Sequence, residues 1–326
     1  MRKIAFALCA MAFLFSACKK SAAPSAEEEQ QAITQRSCAS YEVLLEQLKT
    51  DPARKQRMDE IELFTQRMIR SERVNRAGTV EIPVVVHVIY SNNAQNISDR
   101  QIQSQIDVLN EDYSASNRDI RNTPSLFHQV TSSGFGIHFS LAQTTRVKTT
   151  VNSFNTTDNV KSTQRGGDDV IDPEHKLNIW ACNLGQSLLG YAQFPGGPAE
   201  TDGVVILYSA FGSRSKYPGG TYISKYDLGR TATHEVGHWL NLRHIWGDDG
   251  SSCSGSDLVE DTPNQASLNF GCPTFPHVSC DNSGDMSMNY MDYTDDACMY
   301  MFSKGQQSRA LAVFVPGGPR AALAGN

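Results

Sequence analysis

The segment that most constrains this chain is Arg230 to Leu242, RTATHEVGHWLNL, in which two histidines stand four residues apart. Val236, Trp239 and Leu240 supply apolar packing, so a helix is expected over 230–242. Residues four apart share a helix face, which sets His234 and His238 side by side as ligands to one cation. Glu235 adjoins the first ligand and can reach a metal-bound water without ligating the metal, the position a general base requires. His244 can join the pair only if the chain turns. Asn241 supplies that turn, because Asn is the non-Gly residue that best tolerates the left-handed conformation. Three neutral imidazoles leave a fourth tetrahedral position for water, the mark of a catalytic zinc site, and amide hydrolysis then needs no covalent intermediate.

The rest of the chain sets the context for that motif. With 326 residues, 40% of them hydrophobic, one catalytic-sized domain plus a leader accounts for the length. A net charge of -6 and no basic stripe exclude nucleic acid as a partner and give no polybasic membrane patch. Arg2 and Lys3, an apolar run from Ile4 to Phe15, and Ser16-Ala17 make residues 1–17 an export signal. Followed by Cys18 and Lys19-Lys20, it resembles the lipobox of bacterial lipoproteins, so Cys18 is expected to carry a lipid; an ordinary cleaved signal is the alternative. The protein is therefore expected as an outer-membrane or surface lipoprotein, or secreted after processing, with the lipid its only membrane contact.

Export also changes how the cysteines read. Besides Cys38 and Cys182, Cys253, Cys272, Cys280 and Cys298 crowd into a Gly-, Ser-, Asp- and Pro-rich segment, which in an oxidising compartment implies two disulfides with three pairings open. No C-x2-C spacing there favours zinc ligation.

Along the chain, Lys19 to Gln31 reads as a flexible tether, and Ser40 to Arg76 as two amphipathic helices broken at Pro52. Strands are expected at Val80–Tyr90, Gly136–Ala142, Lys176–Cys182 and Gly203–Tyr208, with a helix beginning at Ser98-Asp99. The organisation is a signal at 1–17, a lipidated tether and propeptide at 18–76, and a catalytic domain at 77–326, in the α+β class.

HEVGHWLNLRH at 234–244 resembles the long zinc-binding consensus of the metzincins, and the surrounding chain is similar to their pappalysin branch. The further matches are LNIWACNLG at 177–185, GYAQFPGG at 190–197, TDGVVIL at 201–207, the D-x-V-x-D-T-P pattern from Asp257 to Pro263, and NYMDYTDDACMYMFSKGQ at 289–306. The resemblance implies a metzincin-type zincin fold: a twisted mixed sheet and the active-site helix in an N-terminal subdomain, over an irregular, disulfide-stapled C-terminal subdomain. It implies that Met291, by itself an ordinary core residue, lies beneath the metal, and that Tyr293 donates to the oxyanion of the tetrahedral intermediate. It also implies calcium bound by Asp248, Asp257, Asp261 and the Thr262 hydroxyl, and the pairings Cys253 with Cys280 and Cys272 with Cys298. Peptide substrates would lie extended along Gly203–Leu207 as a sheet edge.

A thiolate is an excellent zinc ligand, so Cys38, in Gln35-Arg36-Ser37-Cys38-Ala39, is expected to displace the catalytic water and hold a latent zymogen, as in related proenzymes, although Ala39 stands where they commonly carry Gly. Some members of the resembled family prefer arginyl bonds, so the resemblance implies such a preference, and the arginine-dense prosegment would then be open to self-cleavage. Asp295 and Asp296 are candidates for the acidic specificity pocket, or equally structural or calcium-directed turn residues. The reading is a monomeric, secreted or lipid-anchored zinc endopeptidase. The alternative is a catalytically silent, peptide- or protein-binding surface lipoprotein, against which stand the intact Glu235, Tyr293 and three histidines.

Overall fold

The structure, a computed structural model, describes residues 33–325 apart from Glu72 and Ala77. The signal at 1–17 and Cys18 lie outside the described residues. Two helices open the chain, α1 (Ser40–Thr50) and α2 (Pro52–Arg70). They part at Asp51, whose side chain accepts from the Ala53 backbone N–H at 3.0 Å, with Pro52 in the first turn, where its missing donor costs nothing. Then come β1 (Val80–Tyr90), α3 (Asp99–Tyr113), β2 (Ile137–Lys148), β3 (Leu177–Cys182), β4 (Gly190–Ala192), β5 (Val204–Leu207), α4 (Arg230–Trp239) and α5 (Lys304–Leu311).

The sheet runs β2-β1-β3-β5-β4. The first four strands are parallel and β4 is antiparallel to β5. Parallel strands covered on both faces read as continuous apolar runs, and β1 and β3 do so: Val84, Val85, Val86 and Val88 in β1 and all of β3 are buried. Pro83 is tolerated in β1 because pairing with β3 begins only at Val84. The fold is α+β, as expected. Strand β5 is not the edge, however: a three-residue antiparallel strand covers it, so the expected sheet edge at Gly203–Leu207 is corrected to Gly190–Ala192 of β4.

Helix α4 packs on β4, β5 and α3. Its seat against α3 is polar as well as apolar: Tyr113 Oη donates to the Thr233 carbonyl at 3.0 Å, and Thr233 Oγ1 to Asp112 at 2.6 Å. Below the helix the chain is irregular, stapled by Cys253–Cys280 and Cys272–Cys298, the two expected pairings. A second apolar cluster here, with Ile245, Trp246, Met286, Met288, Tyr293 and Met301, includes Cys38 from the N-terminal segment.

That segment is fastened to the domain along its length. The Arg54 guanidinium, fully buried, donates to the carbonyls of Pro195 at 2.7 Å and Phe194 at 2.9 Å, while Glu62 receives both terminal nitrogens of Arg309 at 3.0 and 2.6 Å. Charged hydrogen bonds of this kind contribute about 1.5–3 kcal/mol each when their loss strands a partner. Arg54→Ala is accordingly expected to lower the stability of the full chain by roughly 2 kcal/mol, read as a shift of the urea midpoint at unchanged slope.

Candidate active site

Helix α4 ends three residues earlier than the expected 242, because at Asn241 the backbone enters the left-handed region with φ 72°. The Leu242 N–H then bonds the Gly237 carbonyl at 2.9 Å and the Asn241 N–H bonds that of His238 at 2.9 Å, which closes the helix and reverses the chain. The reversal brings His244 back to the pair. His238 Nε2 lies 3.1 Å from His234 Nε2 and 3.1 Å from His244 Nε2.

Each ring is held from behind through its other nitrogen. His234 Nδ1 bonds the Tyr290 carbonyl at 2.7 Å, His238 Nδ1 the Leu242 carbonyl at 2.8 Å, and His244 Nδ1 the Asp248 carboxylate at 2.6 Å. Acceptors at all three Nδ1 atoms fix the tautomer, so all three Nε2 lone pairs face one point. Trp246 stacks on His244 at 4.4 Å. Burial, then the neighbouring imidazoles, push His234 well below the ordinary histidine range, and burial does the same to His238. Neutral, buried lone pairs crowded at one point repel each other unless a cation sits among them, and a soft-to-borderline metal suits an all-nitrogen donor set.

Met291 lies fully buried beneath this group. A Cβ at Gly237 would stand 2.5 Å from Met291 Sδ, which is why the second residue before Trp239 must be glycine. Gly190 has a matching reason: a Cβ there would come within 2.9 Å of Glu235 Cγ, so β4 approaches the carboxylate closely. Burial raises Glu235 to about 7, against hydrogen bonds from Ser40 and Cys38 that lower it.

Cys38 completes the cluster. Its Sγ and the three histidine nitrogens all lie within 4.8 Å of one another. Tyr293 Oη donates to the Cys38 carbonyl at 3.0 Å and accepts from the Cys38 N–H at 3.3 Å, so the tyrosine clasps the backbone of the segment. The segment itself lies along the free rim of β4: the Leu189 N–H bonds the Ser37 carbonyl at 2.9 Å, the Ala39 N–H bonds the Gly190 carbonyl at 3.1 Å, and the bridge is parallel. Ala39 sits at φ -109°, which any residue adopts, so glycine is not required after the cysteine.

Two participants carried no signal in the sequence. Ser40 Oγ donates to Glu235 Oε2 at 2.7 Å and accepts from the Ala192 N–H at 2.8 Å, bridging the carboxylate to the strand edge. Arg36, 2% exposed, reaches Asp296 Oδ1 at 2.5 Å, the Thr294 carbonyl at 3.1 Å and Thr231 Oγ1 at 3.2 Å. Asp296 Oδ2 is held by the N–H groups of Leu228 and Arg230 at 2.9 and 3.2 Å. Asp295 is turned away, toward Lys225 at 3.7 Å, so only Asp296 floors the arginine pocket.

The residues expected to hold calcium are each committed to other partners, Asp257 and Thr262 to one another. Asp248 is committed to His244; Asp257 accepts from Thr262 Oγ1 at 2.8 Å; Asp261 accepts from Ser303 Oγ at 2.6 Å and the Gly305 N–H at 2.8 Å, where it serves the start of α5. Among the described residues the only group of three or more His, Cys, Asp or Glu side chains converging on one point is Cys38 with the histidines, and the calcium expectation gains no support from the fold. Gly237→Ala is expected to force Met291 aside and cost about 1–3 kcal/mol by overpacking, seen as a lower melting temperature together with reduced zinc content.

Comparison with known proteins agrees with this geometry. The Peptidase_M43 family model, described as pregnancy-associated plasma protein-A, matches residues 190–314. Extracellular metalloprotease 1 of Coccidioides posadasii is 35% identical over 240 residues, 71% of this chain and 75% of that protein, and the extracellular metalloprotease of Pyricularia oryzae is 35% identical over 250 residues, 73% and 76% of the two. Mature mirolysin of Tannerella forsythia in complex with a cleaved peptide is 50% identical with a TM-score of 0.72, covering 76% of this chain and 96% of that one. A promirolysin mutant from the same organism is 46% identical with a TM-score of 0.80, covering 88% and 97%. The chain belongs to the pappalysin family of zinc-dependent metalloproteases.

Proposed function

We propose that this protein is an exported endopeptidase made as a latent zymogen, which cleaves arginyl bonds of extended polypeptides at the His234-His238-His244 centre. The observation that carries the reading is the pairing of Arg36 with Asp296 beside Cys38. A prosegment that blocks the cleft fills the side-chain pocket its own enzyme offers, and this one fills it with an arginine whose carboxylate partner is prearranged by two backbone donors.

His234, His238 and His244 are the zinc ligands in this reading. Bound there, zinc supplies a Lewis acid that polarises the scissile carbonyl and lowers the pKa of water to about 7. Glu235, raised to about 7 by burial, is poised to take the proton from the attacking water and return it to the leaving amine. Tyr293, freed from the Cys38 backbone, donates its phenol proton to the developing oxyanion. Gly190–Ala192 offers the main-chain edge on which the peptide lies, in keeping with the cleaved peptide named in the mirolysin complex.

Latency combines three contacts in this reading. Cys38 is the fourth ligand before activation, Arg36 fills the specificity pocket, and Ser40 ties up Glu235. The propeptide spans 18–76 and the catalytic domain 77–326, and cleavage after a prosegment arginine releases the enzyme. Export through the 1–17 signal accords with relatives named extracellular metalloproteases; Cys18 would then carry the lipid.

Glu235→Ala should lower kcat by about 10²–10⁴ while zinc content, measured by atomic emission, stays at that of the parent; activity that survives would end the mechanism. Asp296→Asn should reduce kcat/KM for arginyl peptides by about a hundredfold and flatten a cleavage-site profile at that position. For latency, Cys38→Ala should raise the initial rate of the uncleaved full chain. Ser40→Ala should raise it by about tenfold, the worth of one charge-assisted hydrogen bond.

A further inference from the structure

The prosegment does not end at Arg36. Thr34 and Ile33 continue beyond the arginine pocket and form one wall of a cavity of about 640 Å³, whose other walls include Tyr208, Arg214, Ile223 and Lys225. The cavity and the arginine pocket share a wall. The Lys225 carbonyl accepts from the Asp296 N–H at 3.0 Å, and the Ile223 N–H bonds the Ser209 carbonyl at 2.9 Å, which ties the same stretch to the end of β5. Lys225 Nζ also approaches the Thr34 carbonyl at 3.5 Å. One continuous path therefore leads from the histidine cluster through Cys38 and Arg36 to Ile33.

What occupies that path indicates which chemistry the cavity takes. Ile33 is 7% exposed and belongs to the main apolar cluster, against which Ile223 packs. The two cations on the rim are already engaged, Arg214 with Asp227 at 2.7 Å and Lys225 with Asp295 at 3.7 Å, so the demand left in the cavity is apolar rather than acidic. When the prosegment leaves, Ile33 and Thr34 leave with it, and the cavity opens onto the cleft beside the arginine pocket.

We propose that this cavity is a second specificity subsite, taking an apolar side chain of the substrate three residues from the arginine, on the side away from the cleaved bond, as Ile33 stands to Arg36. The proposal rests on the arginyl reading above. Burying one aliphatic side chain in such a pocket discriminates by about tenfold or more.

The test is a peptide library with the arginine fixed and the positions two to four residues away from it, on either side, varied, cut by the enzyme matured from the full chain. Ile, Leu, Val or Phe three residues from the arginine, on the side away from the cleaved bond, is expected to raise kcat/KM about tenfold over Asp or Gly, and an apolar preference only elsewhere would overturn the subsite. Ile223→Asp should bring that ratio close to one, and Ile223→Phe, which fills the space, should move the preference from large apolar residues toward Ala. The ratio is internal to each variant, so a loss of total enzyme does not imitate it. A flat profile on the parent enzyme, with the arginine preference intact, overturns the subsite alone. Loss of the arginine preference itself overturns both readings.

Discussion

Everything in this molecule is arranged around three imidazole nitrogens that meet at one buried point. Two lie on one helix face and need only the regular geometry of α4. The third depends on a backbone reversal that a single residue makes possible, and the bonds around Asn241 show how: the helix closes on itself, and the carbonyl of Leu242, freed by the turn, becomes the acceptor for His238. The turn that delivers His244 thus also orients His238. Arg309 Nε holds the Asn241 carbonyl at 2.8 Å from outside, so the reversal is braced by α5.

The same economy of contacts appears in the prosegment. Its docking uses side chains against backbone, Arg54 on Phe194 and Pro195, and charge against charge, the buried Arg36 on Asp296 and the part-exposed Glu62 on buried Arg309. Removing one member of a buried pair costs more than the pair contributes, because it strands a charge. On the proposed reading, cutting the chain would remove the connection that makes each of these contacts intramolecular, so they would weaken together.

The sequence made legible those features governed by local rules. The helix-face spacing of His234 and His238, the Pro52 break, the apolar runs of β1 and β3, and the positive φ at Asn241 each follow from a short stretch of residues, and each stands in the structure. What was not legible depends on residues far apart in the chain. Strand β4 is three residues long with glycine first, so no periodicity marks it, yet it covers β5 and becomes the rim on which the prosegment lies. Asp248 is expected to bind calcium by family resemblance, and only the fold places it behind His244. Ser40 reads as the first residue of an amphipathic helix, and nothing local foretells that its hydroxyl reaches Glu235.

The direction of the N-terminal segment sets which groups it presents to the histidines. It runs parallel to β4, and the atom it presents to the histidines is a sulfur, not a carbonyl oxygen. The Cys38 carbonyl is turned to Tyr293, so the phenol is taken by the backbone of the N-terminal segment. Two residues after the cysteine the chain coils into α1 and spends its N–H groups on helix bonds, beginning with Val43 to Ala39 at 2.9 Å. A peptide bound as a substrate in the proposed reading would need a carbonyl facing the histidines, a continuous strand along β4 and the Tyr293 phenol free. The prosegment replaces the carbonyl with a thiol, ends the strand after one bridge and captures the phenol, so the side-chain pocket is filled while no scissile bond is presented.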